Sequence, residues 1–205
     1  MEKKGKVQKT ERLLGKLTAA AGHVFLVGDS GELEAFLAAH SPEDRGRLAI
    51  EKIGRGKTGL RPFEDAGFKF AVCSFFPASE VMLLSSDTAG LHLVPAQVDK
   101  WRVTLAMPTL TEVILAEFGS KPTMTASVSV PSGVLSVVRV FPAWRHESPP
   151  LGDEERAALG RGGQHGTKLV MFLEPGEHEL TFERLSRAEE WGTISGRVAI
   201  RRAAT

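Results

Sequence analysis

The chain has no tyrosine, no asparagine and a single cysteine, and each shortage closes a route to function. Without tyrosine no phenol serves as a catalytic acid, and without asparagine no amide of that residue completes an oxyanion hole. Cys73 alone makes no internal disulfide, and one thiolate excludes cysteine zinc clusters and paired-thiol redox motifs. No apolar run approaches the roughly eighteen residues that a membrane-spanning helix needs. Apolar residues make up 42% and charged residues 25% of the 205 positions, proportions that belong to a globular chain rather than a disordered one. At this length the core buries enough surface to hold without a metal or a cross-link. The expectation is a soluble, cytoplasmic protein with no cofactor and no membrane span.

Charge is placed unevenly. The formal net charge is +1, but Lys3, Lys4, Lys6, Lys9, Arg12 and Lys16 face only Glu2 and Glu11 in the first sixteen residues, so the rest of the chain is slightly acidic. A secretory signal would continue such a start with an unbroken apolar stretch, whereas Gly15 and Lys16 interrupt Leu13, Leu14 and Leu17, and His23 interrupts the next small and apolar residues. Residues 1–22 therefore read as a basic, partly disordered arm ahead of one domain at 23–205. The arm offers contacts to phosphates, and a turn through its three leucines offers a dock for a partner. The near-neutral total charge argues against nucleic acid.

Along the domain, an apolar run at 23–27 ends in Gly28-Asp29-Ser30-Gly31 and gives way to Leu33, Phe36 and Leu37 at helical spacing, which predicts strand, turn and capped helix. Ser41-Pro42-Glu43-Asp44 repeats the helix-start signal, so a small α/β start is expected over 23–46. Beyond it the period becomes two. Trp101, Val103, Leu105 and Met107 alternate with Arg102, Thr104 and Ala106, and Met124, Ala126, Val128 and Val130 alternate with polar neighbours, which predicts half-buried strands. Segments 68–76, 81–84 and 134–141 are apolar on both faces and suit interior strands. A last strand is expected at 193–201, with Arg197 and Arg201 on its polar face. Ten to twelve short strands against two or three short helices predict a mainly β fold, a sandwich or open barrel with a short α/β segment in front.

Each motif meets a plainer alternative. Gly28-Asp29-Ser30 resembles the first block of the GDSL (SGNH) hydrolases, but their Gly-x-Asn-Asp block needs an asparagine, and no histidine here stands three residues after an aspartate. Asp29 and Ser30 are read as helix caps. Gly54-Arg55-Gly56-Lys57-Thr58 has Glu51 where a phosphate loop starts with glycine, and a carboxylate there repels phosphate, so a basic turn between strands is expected. Cys73 sits among apolar neighbours and reads as core filler. His23, His40, His92 and His178 stand singly and read as surface or rim histidines, with no metal ligand set among them.

The richest stretch is 142–167, where eight residues are proline or glycine and a long loop with a helical turn at 154–159 is expected. Trp144, Arg145 and His146 open it; Arg161, Gln164 and His165 close it. Trp and Arg are enriched where proteins meet proteins, so these six residues are the candidate contacts for a protein partner. Two alternatives stand beside that reading: a small hydrolase or lyase that gathers His146, His165 and Glu147, and a carbohydrate or anionic-polymer binding module.

Leu169 to Leu173 and Leu180 to Phe182 flank Glu174-Pro175-Gly176-Glu177, a turn signal that predicts a hairpin. The sixteen residues 168–183 are similar to the closing hairpin of the competence nuclease-inhibitor (competence protein J) family and of related bacterial immunity-type proteins. That resemblance implies a β-sandwich that binds and blocks a protein partner, and it assigns no functional residue.

Overall fold

The computed structural model describes residues 11–18, 24–75, 78–86, 90–98, 118–140, 151–185 and 196–203, which hold twelve strands and three helices. The strands are β1 (Glu11–Thr18), β2 (Val24–Asp29), β3 (Thr58–Asp65), β4 (Phe68–Phe75), β5 (Ala78–Ser86), β6 (Gly90–Val98), β7 (Phe118–Val130), β8 (Val134–Arg139), β9 (Gly162–His165), β10 (Lys168–Phe172), β11 (Gly176–Leu185) and β12 (Gly196–Arg202). The helices are α1 (Ser30–Ala39), α2 (Pro42–Ile53) and α3 (Asp153–Leu159). The mainly β expectation holds: two six-stranded antiparallel sheets, a front sheet ordered β1-β5-β6-β12-β11-β7 and a back sheet ordered β3-β4-β2-β8-β10-β9, pack face to face without closing into a barrel.

Alternation of side chains along each strand decides what is buried where. Leu83 and Leu93, Ala126, Val128 and Val130, and Leu180 and Val198 of the front sheet meet Phe25, Val27, Leu135 and Leu169 of the back sheet in the sandwich core. The opposite face of the back sheet carries Val24, Leu26, Phe70, Val72 and Val138, and these pack under Leu33, Phe36 and Leu37 of α1 and Ala49 and Ile53 of α2. That second core explains why β2, β4 and β8 are apolar on both faces. On β7 only one face is covered by the other sheet, so Thr125 and Ser127 stay exposed.

Caps set where the helices begin. Asp29 Oδ1 accepts hydrogen bonds from the Gly31 and Glu32 amides, while its Oδ2 accepts from the backbone N–H and hydroxyl of Ser132 at 3.1 and 2.5 Å. Asp29 thus fastens α1 to the turn between β7 and β8. Ser41 Oγ caps α2 by accepting from the Asp44 amide.

Four expectations change. Residues 11–18 of the expected basic arm form β1, paired along its length with β5. The helical turn expected at 154–159 is α3, but the expected loop also contains a strand, β9, because β9 needs only the ladder offered by β10 and not an apolar pattern of its own. The 54–58 turn joins α2 to β3 rather than two strands. The expected hairpin at 169–182 is a crossing: β10 pairs with β8 and β9 in the back sheet, and β11 pairs with β7 and β12 in the front sheet. The connection between β7 and β8 crosses at the same end, and the Leu173 amide donates to Gly133 O at 2.9 Å to tie the two crossings together. The alternation at 101–107 and the residues Trp144, Arg145, His146 and Glu147 lie outside the described residues.

Candidate functional site

The hairpin that does form is β9–β10, turned through Gly166 and Thr167. Gly166 has φ +57°, which a two-residue mirror-image turn demands of its first central residue and glycine meets without steric cost. His165 and Lys168 close this turn as direct cross-strand partners, so their side chains share one face of the back sheet. His165 is buried, and its Nδ1 donates to Glu155 Oε1 of α3 at 2.7 Å. Lys168 Nζ donates to Glu34 Oε1 at 2.6 Å and to Ser30 Oγ at 3.2 Å. The hairpin tip is thereby held between α1 and α3.

This grouping bears on catalysis. A serine beside a lysine forms a nucleophilic dyad when the lysine nitrogen has a lone pair for the hydroxyl proton. Here the ammonium donates to a carboxylate and to Ser30 Oγ together, so Ser30 is an acceptor in a tie between helix and sheet. His165 finds its carboxylate in Glu155, within hydrogen-bond distance, and the convergence with His146 and Glu147 lies outside the described residues. Among the described residues no group of three or more His, Cys, Asp and Glu side chains is placed to hold a metal ion.

The remaining titratable candidates are structural. Cys73 points into the sandwich core, where burial pushes its thiol well above the usual range. Native protein at mildly alkaline pH is expected to resist iodoacetamide and to be alkylated fully once denatured, as read by intact mass; rapid native labelling would contradict this burial. His178, expected at the rim, is buried, and its Nε2 donates to Glu174 O because the crossing folds over it. His40 Nδ1 donates to Phe36 O at the end of α1. Arg197 and Arg201, expected on the polar face of the last strand, lie on β12, which has β6 and β11 on either side, and both guanidinium groups donate to the buried Glu183.

Of the six expected contact residues, the structure describes three. Arg161 and Gln164 are exposed and His165 is not. Strand β9 is the outer strand of the back sheet and lies against β1, the outer strand of the front sheet. A side chain at Gly15 of β1 would start 2.8 Å from Gln164 N and 3.1 Å from Gly163 C, so glycine lets the two edges close. Next to this seam, Leu13 is the large apolar side chain that stays exposed among the described residues, at 38%.

Arg161 sits just beyond α3, with its carbonyl accepting from the Phe172 amide at 3.1 Å. Its Nη1 donates to Ser85 Oγ of β5 at 3.0 Å. Arg12 of β1 is the direct cross-strand partner of Ser85. Sequence reasoning singled out Arg161 as a contact and placed Arg12 in a basic arm, but missed Ser85 and the pairing of β1 with β5 that sets Arg12 opposite it. No protein-family model, no curated protein and no solved structure matches this chain.

Proposed function

We propose that the chain is a non-catalytic binding protein that engages a protein partner along the seam of β1 and β9. The observation that carries this reading is Leu13: a large apolar side chain left in water on the outer strand β1, whose Gly15 lies against β9, offers an apolar contact of the kind found at protein interfaces. Supporting the non-catalytic side, Ser30, Lys168, His165 and Glu183 are each committed to contacts that fasten one element to another.

A photo-reactive residue placed at position 13, at 164, or at 64 on the opposite edge tests this in native lysate. The expected result is a single protein cross-linked in stoichiometric amount through positions 13 and 164 and not through 64. Leu13→Asp is expected to lower its capture about tenfold, because a charge replaces the apolar contact. Equal adducts at all three positions, or none at any, would sink the reading.

A further inference from the structure

We infer that the chain forms a two-fold dimer by pairing the outer edge of β7 with the same edge of a second copy. An open sheet ends in strands whose outward N–H and C=O groups lack a ladder, and folded proteins keep such edges from pairing by charge, proline, a bulge or shortness. Three of the four outer strands here carry those devices. Strand β1 is charged at Glu11, Arg12 and Lys16, is bulged between Leu13 and Gly15, and lies against β9. Strand β9 has only four residues. Strand β3 exposes Arg61, Pro62, Glu64 and Asp65, and its Leu60 amide donates to Met124 Sδ at 3.4 Å. Strand β7 is the exception. From Met124 to Val130 it has no charge, no proline, no glycine and no register shift against β11, and among the described residues β11 is the only strand paired with it.

The same stretch is complementary to itself. In an antiparallel pair centred on Ser127, that residue meets its own copy, Thr125 meets Ser129, Ala126 meets Val128 and Met124 meets Val130. Thr125 and Ser127 are exposed on the outer face, while Ala126, Val128 and Val130 belong to the sandwich core and Met124 packs against it. Hydroxyl therefore meets hydroxyl, apolar meets apolar, and no charge meets its like. The other edges fail this test: a pair centred on Leu14 of β1 sets Arg12 against Lys16, and along β3 it meets Pro62, which has no N–H to give. Each chain has one β7, so a second copy covers both open edges at once and the assembly closes at two. Strand β7 lies at the far end of the front sheet from β1, and the pairing leaves the β1–β9 seam uncovered.

Sedimentation velocity on the full chain tests this, with Ser127→Asp, Ser127→Lys and their equimolar mixture. The parent is expected to pass from monomer to dimer in the micromolar range and to grow no further. Each variant alone is expected to dimerise about tenfold more weakly, because two like charges then face each other at the centre of the pair. The mixture is expected to regain the dimer, since opposite charges meet there. Ser127 is exposed, so melts of the variants at a dilution where the parent is monomeric are expected to match that of the parent. Ser127→Cys is expected to give a disulfide-linked dimer under mild oxidation and Arg61→Cys on β3 is not, with the buried Cys73 left reduced in both. The pairing is overturned by a parent that stays monomeric or grows beyond two, by charge variants that dimerise as the parent does, by a mixture no more dimeric than its components, or by equal cross-linking at 61 and 127.

Discussion

Phe36→Ala is expected to cost about 4 kcal/mol and to lower the melting temperature by about 12 °C. Phe36 is 1% exposed and is the hub of the layer between the helices and the back sheet. Its ring meets those of Phe70, Phe68 and Phe63 edge to face, with centroids 4.8 to 5.5 Å apart, and Phe63 and Phe70 stack on each other at 4.4 Å. Each such contact adds to the area buried, and truncation to alanine leaves a hole walled by rigid rings and sheet backbone that cannot collapse into it. Helix α1 adds only Leu33 and Leu37 to Phe36 as buried residues in this layer, so Phe36 supplies much of its apolar contact with the sheet. Phe36→Leu is expected to recover more than half of the loss. Calorimetry on both variants checks the claim, and a drop under about 1 kcal/mol for alanine would show that the helix pair is fastened by other means.

Glu183→Ala is expected to cost about 3 kcal/mol, almost as much, for an electrostatic reason. The carboxylate of Glu183 is 10% exposed and takes a hydrogen bond from Arg197 Nε at 2.7 Å and one from Arg201 Nη2 at 2.8 Å. Arg197 is itself mostly buried, at 15%, and keeps its charge in any folded state. Removing the carboxylate takes a close counter-charge away from a desolvated cation, which costs more than the pair contributes over an apolar replacement. Arg201 is half exposed, so Arg201→Ala is expected to cost under about 1 kcal/mol. Urea unfolding of the two variants gives the comparison. Equal losses would mean that exposure does not govern this cluster.

How much of this was legible beforehand depends on the range of the signal. Alternation along 124–130 and two-faced apolarity at 134–138 are local, and both predicted their strands and the mainly β architecture. Helix starts at Asp29 and Ser41 were legible because capping uses residues within three positions. Pro175 and Gly176 marked a real reversal, but a turn residue does not say whether the chain rejoins its own sheet or enters the other, and there the hairpin reading failed. Strand β1 is short, interrupted by Gly15 and rich in charge, so its pattern resembled a loose arm. Strand β9 is Gly-Gly-Gln-His, with no apolar alternation to read. The contact of Arg161 with Ser85 is the extreme case: the two residues lie far apart in the chain and in different sheets, and only the packing of the two sheets joins them.

The position of β12 carries a consequence for how the chain comes to be folded. It is the last described strand in the chain, yet it lies in the middle of the front sheet, between β6 and β11. Until it arrives, that sheet consists of separate three- and two-stranded pieces with apolar flanks and open ladders on either side of a gap. During synthesis on the ribosome the gap stays open until residues 196–202 have emerged, so the front sheet closes after the strands on either side of it. The back sheet and its helices need nothing beyond β10 and form the surface on which that closure waits.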